Sequence, residues 1–595
     1  MMELKSNIIK IFLFLIFFAV LFSHFWNDNV REMSVLLILL ALAVPDAGFF
    51  DETDGILLIT GASTVEDLDE SVLERFESFR AHPLAINCCS GSRLMSCGLF
   101  SRYQAASLLD YRSRSGDILS FAELAAIDGF GEKYAVALRD FVTLDGGELN
   151  GGRSGRNVRK FSQSLMMKAS ARAPDGKAEW CGGVKYNARW GEFLEFNWSD
   201  RTTYTLPVPG FGTMNLTIYG RRVLGKLIVG DYNVRFGQGL LVWNGFSMSG
   251  ISSPSALFRN ATGLSASQSF SPGLHGVAAD FNIGKYALSA AYDRNRMALV
   301  NLSRMGKVWH MGMTALYDAN GEVSPGLGRV GLSLDARVGF RGGAVFGEAA
   351  LDGNALAAVL GVLVVPAYGN MVSVAVRAYP KTYPGTMAGA VRSSTKVSDE
   401  YGASVAAQNG WGLLTLDASW HPSKDTQAYR MIAQLKKEIS LGDFSLTPVL
   451  RLSERCGLKP SGAADDAGYA ANWRSDLRSE LDLAAGPWLA NVRYNAVHSA
   501  EWGWLAYAEA GYRREYGEWN RITAWLRGEL FAIDNWDDRI YVYERDAPGN
   551  FNVPAYYGRG WNVSLVLSWK FWKNTISLRV STYKKEVKLQ YSILI

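Results

Sequence analysis

From about residue 160 to the C-terminus, apolar and polar side chains alternate with period two. Trp561, Val563, Leu565, Leu567, Trp569 and Phe571 share one face of a segment, against Asn562, Ser564, Ser568 and Lys570, with only Val566 out of step. Ile576, Leu578 and Val580 alternate with Ser577, Arg579 and Ser581. The chain then ends on Val587, Leu589, Tyr591, Ile593 and Ile595, opposite Lys588, Gln590 and Ser592. Leu477, Leu481 and Leu483 oppose Asp476, Arg478, Glu480 and Asp482, and Ile522, Ala524, Leu526 and Leu530 oppose Arg521, Thr523, Arg527 and Glu529. Period two places successive side chains on opposite faces of a strand. Here one face is apolar and bounded by aromatics while the other carries charges of both signs, the pattern of strands with lipid outside and a polar lumen inside. A soluble antiparallel sandwich also alternates, but it would have to bury those charges in its core. Only closure satisfies every backbone group in lipid. The expectation is a mainly β protein, a transmembrane antiparallel β-barrel of roughly 20 strands (about 18–24, an even number) over residues 160–595, in contact with outer-membrane lipid. An even count puts both barrel ends on the periplasmic side.

Several stretches interrupt the alternation. Ser252 to Pro272, Tyr379 to Glu400 and Arg455 to Ala471 are too long and polar for tight turns, so they read as outward loops or lumen plugs. Gly237-Gln238-Gly239 reads as a bulge or tight bend. Arg539 to Glu544 reads as a strand whose Arg539 and Glu544 join a luminal charge network.

Ahead of the barrel the period is helical, from Val65 to Leu144. Leu68, Val72, Leu73 and Phe76 fall on one helix face. Two copies of a helix–hairpin–helix pattern follow. In the second, Ser120 and Glu123 form a capping box, Ile127 to Lys133 is the hairpin, and Ala135 to Phe141 is the next helix. Residues 65–145 are therefore expected to form a small all-α domain, joined to the barrel by a Gly-rich linker over 146–159.

The segment from Ile86-Asn87 through Tyr111-Arg112, then Gly129-Phe130-Gly131, resembles the tandem helix-hairpin-helix module of competence-type DNA receptors. That resemblance implies non-specific DNA binding through backbone phosphates. The candidate site residues are Gly129, Phe130, Gly131, Glu132 and Lys133 in the second hairpin, and Gly98, Leu99, Phe100, Ser101 and Arg102 in the first. Glycines let a backbone approach closely and hairpin amides can hold a phosphate oxygen, a contact that carries no base information. The first hairpin departs from the pattern, with Ser101 where the second glycine belongs. Six basic groups across 84–142 are offset by six acidic ones, so the basic footprint of strong DNA binding is missing. Val229-Gly230-Asp231-Tyr232, Phe236 to Leu240, Trp243, Arg539 to Glu544, Pro548-Gly549, Phe551, Pro554, Gly558-Arg559-Gly560 and Lys588-Leu589-Gln590 extend the likeness. The chain from about Glu74 to Ile595 resembles Gram-negative outer-membrane barrel proteins with an N-terminal helix-hairpin-helix domain. That implies an outer-membrane location with the helical domain in the periplasm. Ending on Ile595 rather than Phe is a departure.

The N-terminus supplies a targeting signal. Of two apolar segments, Ile8 to Phe22 and Val35 to Val44, the second has the basic flank and small-residue exit of a secretory signal, so residues 1–47 read as signal region with Met33 as a candidate start. An uncleaved anchor formed by the first segment is the alternative.

Composition narrows function further. The 595 residues are 48% hydrophobic and 20% charged, with 61 basic and 57 acidic groups and a net charge of +4, which excludes a disordered chain and a protein built to coat nucleic acid. The five Cys and six His show no disulfide framework, paired CxxC or HExxH spacing. There is no G-x-S-x-G, Walker loop or dinucleotide fingerprint, so no catalytic residue, metal ligand or cofactor is assigned. Three functions stay open: a barrel whose helical module binds DNA during uptake or passage; a transport or surface-assembly barrel whose module docks a periplasmic protein partner; and a barrel enzyme.

Overall fold

The computed structural model describes residues 52–144 and 161–595, apart from 69 and short stretches at 175, 206–209, 221, 246–249, 269, 271–272, 307, 325–326, 368–369, 442–443, 461–468 and 518–519. The signal region and the linker lie outside the described residues.

Alternation closes into one antiparallel barrel. Strand Phe161–Arg172 pairs with Glu586–Leu594, in register Leu165 to Ile593, and seals the wall. The wall has 24 strands rather than about 20. Two further short strands are not wall strands of their own: Gly263–Ala266 pairs inside against the end of Leu224–Arg235, and Ile439–Leu441 continues Thr426–Lys436 along the same partner. The count is even and stands at the top of the expected 18–24 because most connections are short, such as 341–342 on one side and 353–354 on the other, and leave more chain for strands. Arg455 to Ala471, expected as a long loop, is mostly the ends of strands Phe444–Pro460 and Tyr469–Ala485.

The face assignment follows the pattern. On Leu327–Phe340, Val330, Leu332, Leu334 and Val338 are exposed while Arg329, Ser333 and Asp335 between them are buried. On Gly558–Phe571, Trp561, Val563, Leu567 and Trp569 face out, and Asn562, Ser564 and the odd residue Val566 face in. Exposed tryptophans form two girdles, Trp190, Trp411, Trp488 and Trp572 at one end, Trp420, Trp473, Trp502 and Trp561 at the other. Aromatic belts flanking an apolar band mark the two water interfaces of a membrane barrel. This is an outer-membrane-type barrel.

On the side holding both barrel ends, connections run from two residues, as at 341–342 and 410–411, to four at 220–223. Short turns mark the periplasmic side. Three long connections, 236–273, 380–399 and 534–557, arise on the opposite side and fold inward. Tyr232, Leu240, Tyr379 and Tyr383 bury the first two against each other, and Val542 and Tyr556 pack the third against Leu505 and Phe531. Arg539 to Glu544 is thus an inward loop and not a wall strand; only Ile540–Tyr541 pairs, with Ala555–Tyr556. Glu544 does enter a buried charge network. Arg539 does not: it is half-buried and lies over the Trp536 ring.

The helical module comprises α1 (Glu52–Thr60), α2 (Glu70–Ala81), α3 (Gly91–Ser96), α4 (Arg102–Ser115), α5 (Phe121–Ala126) and α6 (Glu132–Ala137). The unit extends back to Glu52, since Ile56 of α1 joins its core and Gly55 packs on Ala137. That core is self-contained, running from Ile56 through Phe76, Leu94, Phe100 and Leu108 to Phe130 and Phe141. A two-residue parallel pairing of Leu84–Ala85 with Val142–Thr143 ties its ends together. The buried Asn87 side chain spans the carbonyls of Ile118 and Leu144, each at 2.9 Å.

Candidate functional site

The module was expected as a separate periplasmic domain; the structure seats it inside the barrel wall instead. The contacts come from two arcs of the lumen. On one, Arg93 of α3 meets Glu192 at 2.9 Å and Glu195 at 3.7 Å, while Arg189 donates to the His82 carbonyl at 2.7 Å. On the other, Glu66 takes Arg478 at 3.1 Å and Arg493, and accepts the backbone N–H of Tyr543 at 3.3 Å. Around them Glu74 pairs with Lys185, Glu70 with Arg201, Asp67 with Arg451 and Asp54 with Lys436. The inward loop 236–273 adds Asn260, which donates to the Phe100 carbonyl, and Ser255, which donates to that of Gly61.

These wall partners face inward because strand alternation points them there. Arg493, for example, is buried between the exposed Val492 and the half-buried Tyr494. Burial alone would raise the Glu66 carboxyl, but Arg478 and then Arg493 overcome it and hold it well below the ordinary value. At Glu74 burial wins over Lys185, and its carboxyl is raised.

The ten hairpin residues separate into distinct roles. Leu99, Phe100 and Phe130 are core side chains, the two rings 5.8 Å apart. Gly98 has φ +79 with the Arg75 guanidinium over it. Ser101 caps α4: its hydroxyl accepts the Gln104 N–H at 3.2 Å while Gln104 accepts the Ser101 N–H at 2.8 Å. That amide is therefore used internally in the first hairpin. Arg102 is committed to the barrel, its Nε on the Ala261 carbonyl at 3.0 Å and its guanidinium against His310. In the second hairpin Gly131 caps α6 with φ +74 and no side chain, while Gly129, Glu132 and Lys133 are exposed.

The two hairpins are brought together reciprocally. Gln104 Nε2 donates to the Gly129 carbonyl at 2.8 Å, and the Tyr134 hydroxyl donates to the Leu99 carbonyl at 2.5 Å. Aligned on Phe100 and Phe130, Gln104 corresponds to Tyr134 and Leu99 to Gly129. Both hairpins border a luminal cavity of about 1060 Å³ between the module and the barrel wall. Eleven Lys and Arg side chains line it against six Asp and Glu.

A second buried network holds the 534–557 loop. Glu544 pairs with Arg579, which also takes Glu586. Arg527 binds Glu509 and Glu529, and Arg545 binds Glu509. The Tyr556 hydroxyl bridges Glu529 and Glu544. Burial raises the Glu544 carboxyl, Arg579 opposes this and Glu529 adds to it. Gly237-Gln238-Gly239 is a tight bend, as expected from sequence, with φ +57 and +84 at its glycines. It has a further role that sequence did not show, since the N–H groups of Gln238 and Leu240 donate to Glu348 at 2.6 and 3.0 Å. Among the described residues no three His, Cys, Asp or Glu are grouped to hold a metal ion.

No family model and no curated protein matches the chain. Among solved structures, the outer membrane protein opdK from Pseudomonas aeruginosa is 9% identical with a TM-score of 0.29, over 74% of this chain and 99% of that one. OccK5 (OpdH) of the same organism is 12% identical with a TM-score of 0.29, over 74% and 99%. The P pilus usher (PapC) translocation pore is 9% identical with a TM-score of 0.32, over 73% and 98%.

Proposed function

We propose that the protein is a plugged conduit of the outer membrane, with the barrel as passage and the helical module as a plug that must move for cargo to pass. The observation that carries this is the contrast between the module's interior and its seat. Its core is complete within residues 56–142, and among the described residues Phe551 is the one hydrophobic barrel side chain packed against it. Its seat is polar, made of ion pairs such as Arg93 to Glu195 and Glu66 to Arg478. A polar interface between units with separate cores is the kind that opens. Breaking one partner of a buried pair costs about 3–5 kcal/mol, so a few groups hold the plug and a few can release it.

The test is single-channel conductance of the full chain in planar bilayers. Wild type is expected to be mostly closed, and Glu66→Ala combined with Arg93→Ala to open frequently, with heat-modifiable mobility confirming a folded barrel. A folded double variant as silent as wild type would sink the plug assignment.

A second reading, non-specific contact with a DNA backbone, is favoured by one observation: Gly129 and Lys133 face the cavity and take no part in the seat. The first hairpin is spent on Ser101 capping and Arg102 docking, so the second carries this role. The cavity is too small for a duplex, and binding requires the module out of its seat. Lys133→Glu should then weaken binding equally for all sequences and lower the salt slope by about one unit; duplex binding unchanged in Lys133→Glu and independent of salt would remove DNA from the account.

A further inference from the structure

We infer that the basic wall beneath the plug is the binding track for a flexible linear polyanion, and that the acidic segment 66–74 occupies this track in cis as a built-in competitor. This rests on the plugged-conduit reading and names its cargo class. Within nine residues of chain, Glu66, Asp67, Glu70 and Glu74 each meet a wall cation: Arg478 with Arg493, Arg451, Arg201 and Lys185. Asp54 repeats the arrangement with Lys436. On the other arc of the seat the sign is reversed, plug Arg93 meeting wall Glu192 and Glu195, but at Asp54 and along 66–74 every paired carboxylate lies on the plug and every cation on the wall. When the plug leaves, Arg493, Arg451, Arg201, Lys185 and Lys436 lose their plug counter-charges together, while Arg478 keeps Glu480 of its own strand, and all six line a water-filled passage. Buried or half-buried cations without partners are costly, and an incoming chain with regularly spaced anionic groups restores the pairing. The cavity already open beside the plug shares this sign, eleven cationic side chains against six anionic. Excess charge of one sign within low-dielectric walls concentrates the opposite ion.

The experiment compares two full-chain variants in planar bilayers under a KCl gradient, with linear polyphosphate and oligogalacturonate as probes. Glu66→Gln/Asp67→Asn/Glu70→Gln frees the wall; Arg478→Glu/Arg493→Glu also breaks the seat but inverts the wall charge. Expected: both open, the first favours chloride at least threefold and is blocked by micromolar polyanion, and the second loses the preference and needs at least tenfold more blocker. Block by polyphosphate alone assigns phosphate groups, and block by oligogalacturonate alone assigns carboxylates; either supports the track. Two open pores without anion preference or polyanion block overturn the inference and leave the conduit standing. Two folded, silent variants overturn both. Should a variant fail to fold, the wild type decides: millimolar polyphosphate should speed protease cleavage within 52–144 severalfold, by competing for the seat, and no change overturns the track.

Discussion

His82 marks where the plug meets the wall, and its chemistry makes the seat sensitive to acid. It is 8% exposed, its carbonyl is held by Arg189, and burial, then the Arg189 charge, push its pKa down to about 3. Glu195 opposes the shift and Arg93 adds to it. The unfolded chain takes up a proton near pH 6.5, whereas the seated form does so only near 3, so stability is complete above 6.5 and falls as pH drops between these values. At pH 5 the loss is about 2 kcal/mol, roughly thirtyfold in the unfolded population. Protease cleavage within 52–144 should accelerate accordingly from pH 7.5 to pH 5, and His82→Gln should flatten that response. An equally steep response in His82→Gln would place the acid sensitivity elsewhere. Nothing in the sequence singled out His82, because its shift arises first from burial in the seat and then from Arg189, more than a hundred residues away.

At the scale of elements, the 534–557 loop should respond in the opposite direction. Burial raises the Glu544 carboxyl, so docking of the loop is strongest below the ordinary carboxylate value and weakens as pH rises through the raised one. Glu544→Gln keeps a group for the Tyr556 hydroxyl and removes the buried charge. At pH 8 this variant should be cleaved within the loop more slowly than wild type, a difference that shrinks in acid; equal rates at both values would refute it. The hairpins give a second check. Gly131 stands at φ +74, where a β-branched side chain costs at least about 1–2 kcal/mol, whereas Ser101→Ala loses a cap worth about 1 kcal/mol. Urea titration of the full chain, followed by cleavage in the module, should rank Gly131→Val as the more damaging change.

These elements also show what the sequence made legible. Alternation around Trp561 and Asn562 is a local signal, set by which neighbours face lipid, and it located the wall and its inward charges. The hairpin glycines and Ser120 are local as well. The seat is not: Glu66 and Arg478 are 412 residues apart, and a luminal arginine in an alternating strand looks the same whether it meets water, another strand or a plug. The inward turn of 534–557 was hidden for the same reason, since Arg539 to Glu544 has the composition of a strand, and Glu544 is fixed inside by Tyr556, Arg579, Asn552 and Asn562. The acidic run from Glu66 to Glu74 was the one available clue, and its meaning depends on the cations opposite.

For the whole molecule, a conduit closed by a folded plug makes a demand that a static pore does not: linking plug to wall must abolish opening reversibly. Ser92 of α3 and Gly225 of the wall strand provide the link, since a Cβ added at Gly225 would lie 2.4 Å from the Ser92 hydroxyl, within the reach of a disulfide. Ser92→Cys with Gly225→Cys, placed in the Glu66→Ala/Arg93→Ala background, should be silent when oxidised and open after reduction. The five native cysteines are free, so each single-cysteine variant serves as the control and should open whatever the redox state. If the module instead stays in place and cargo moves past it through the side cavity, the oxidised pair will conduct as well as the reduced one, and the plug must be redrawn as a fixed constriction. Loss of conductance on oxidation, and its return with reductant, is the outcome expected of a seat built from ion pairs around an independently folded core.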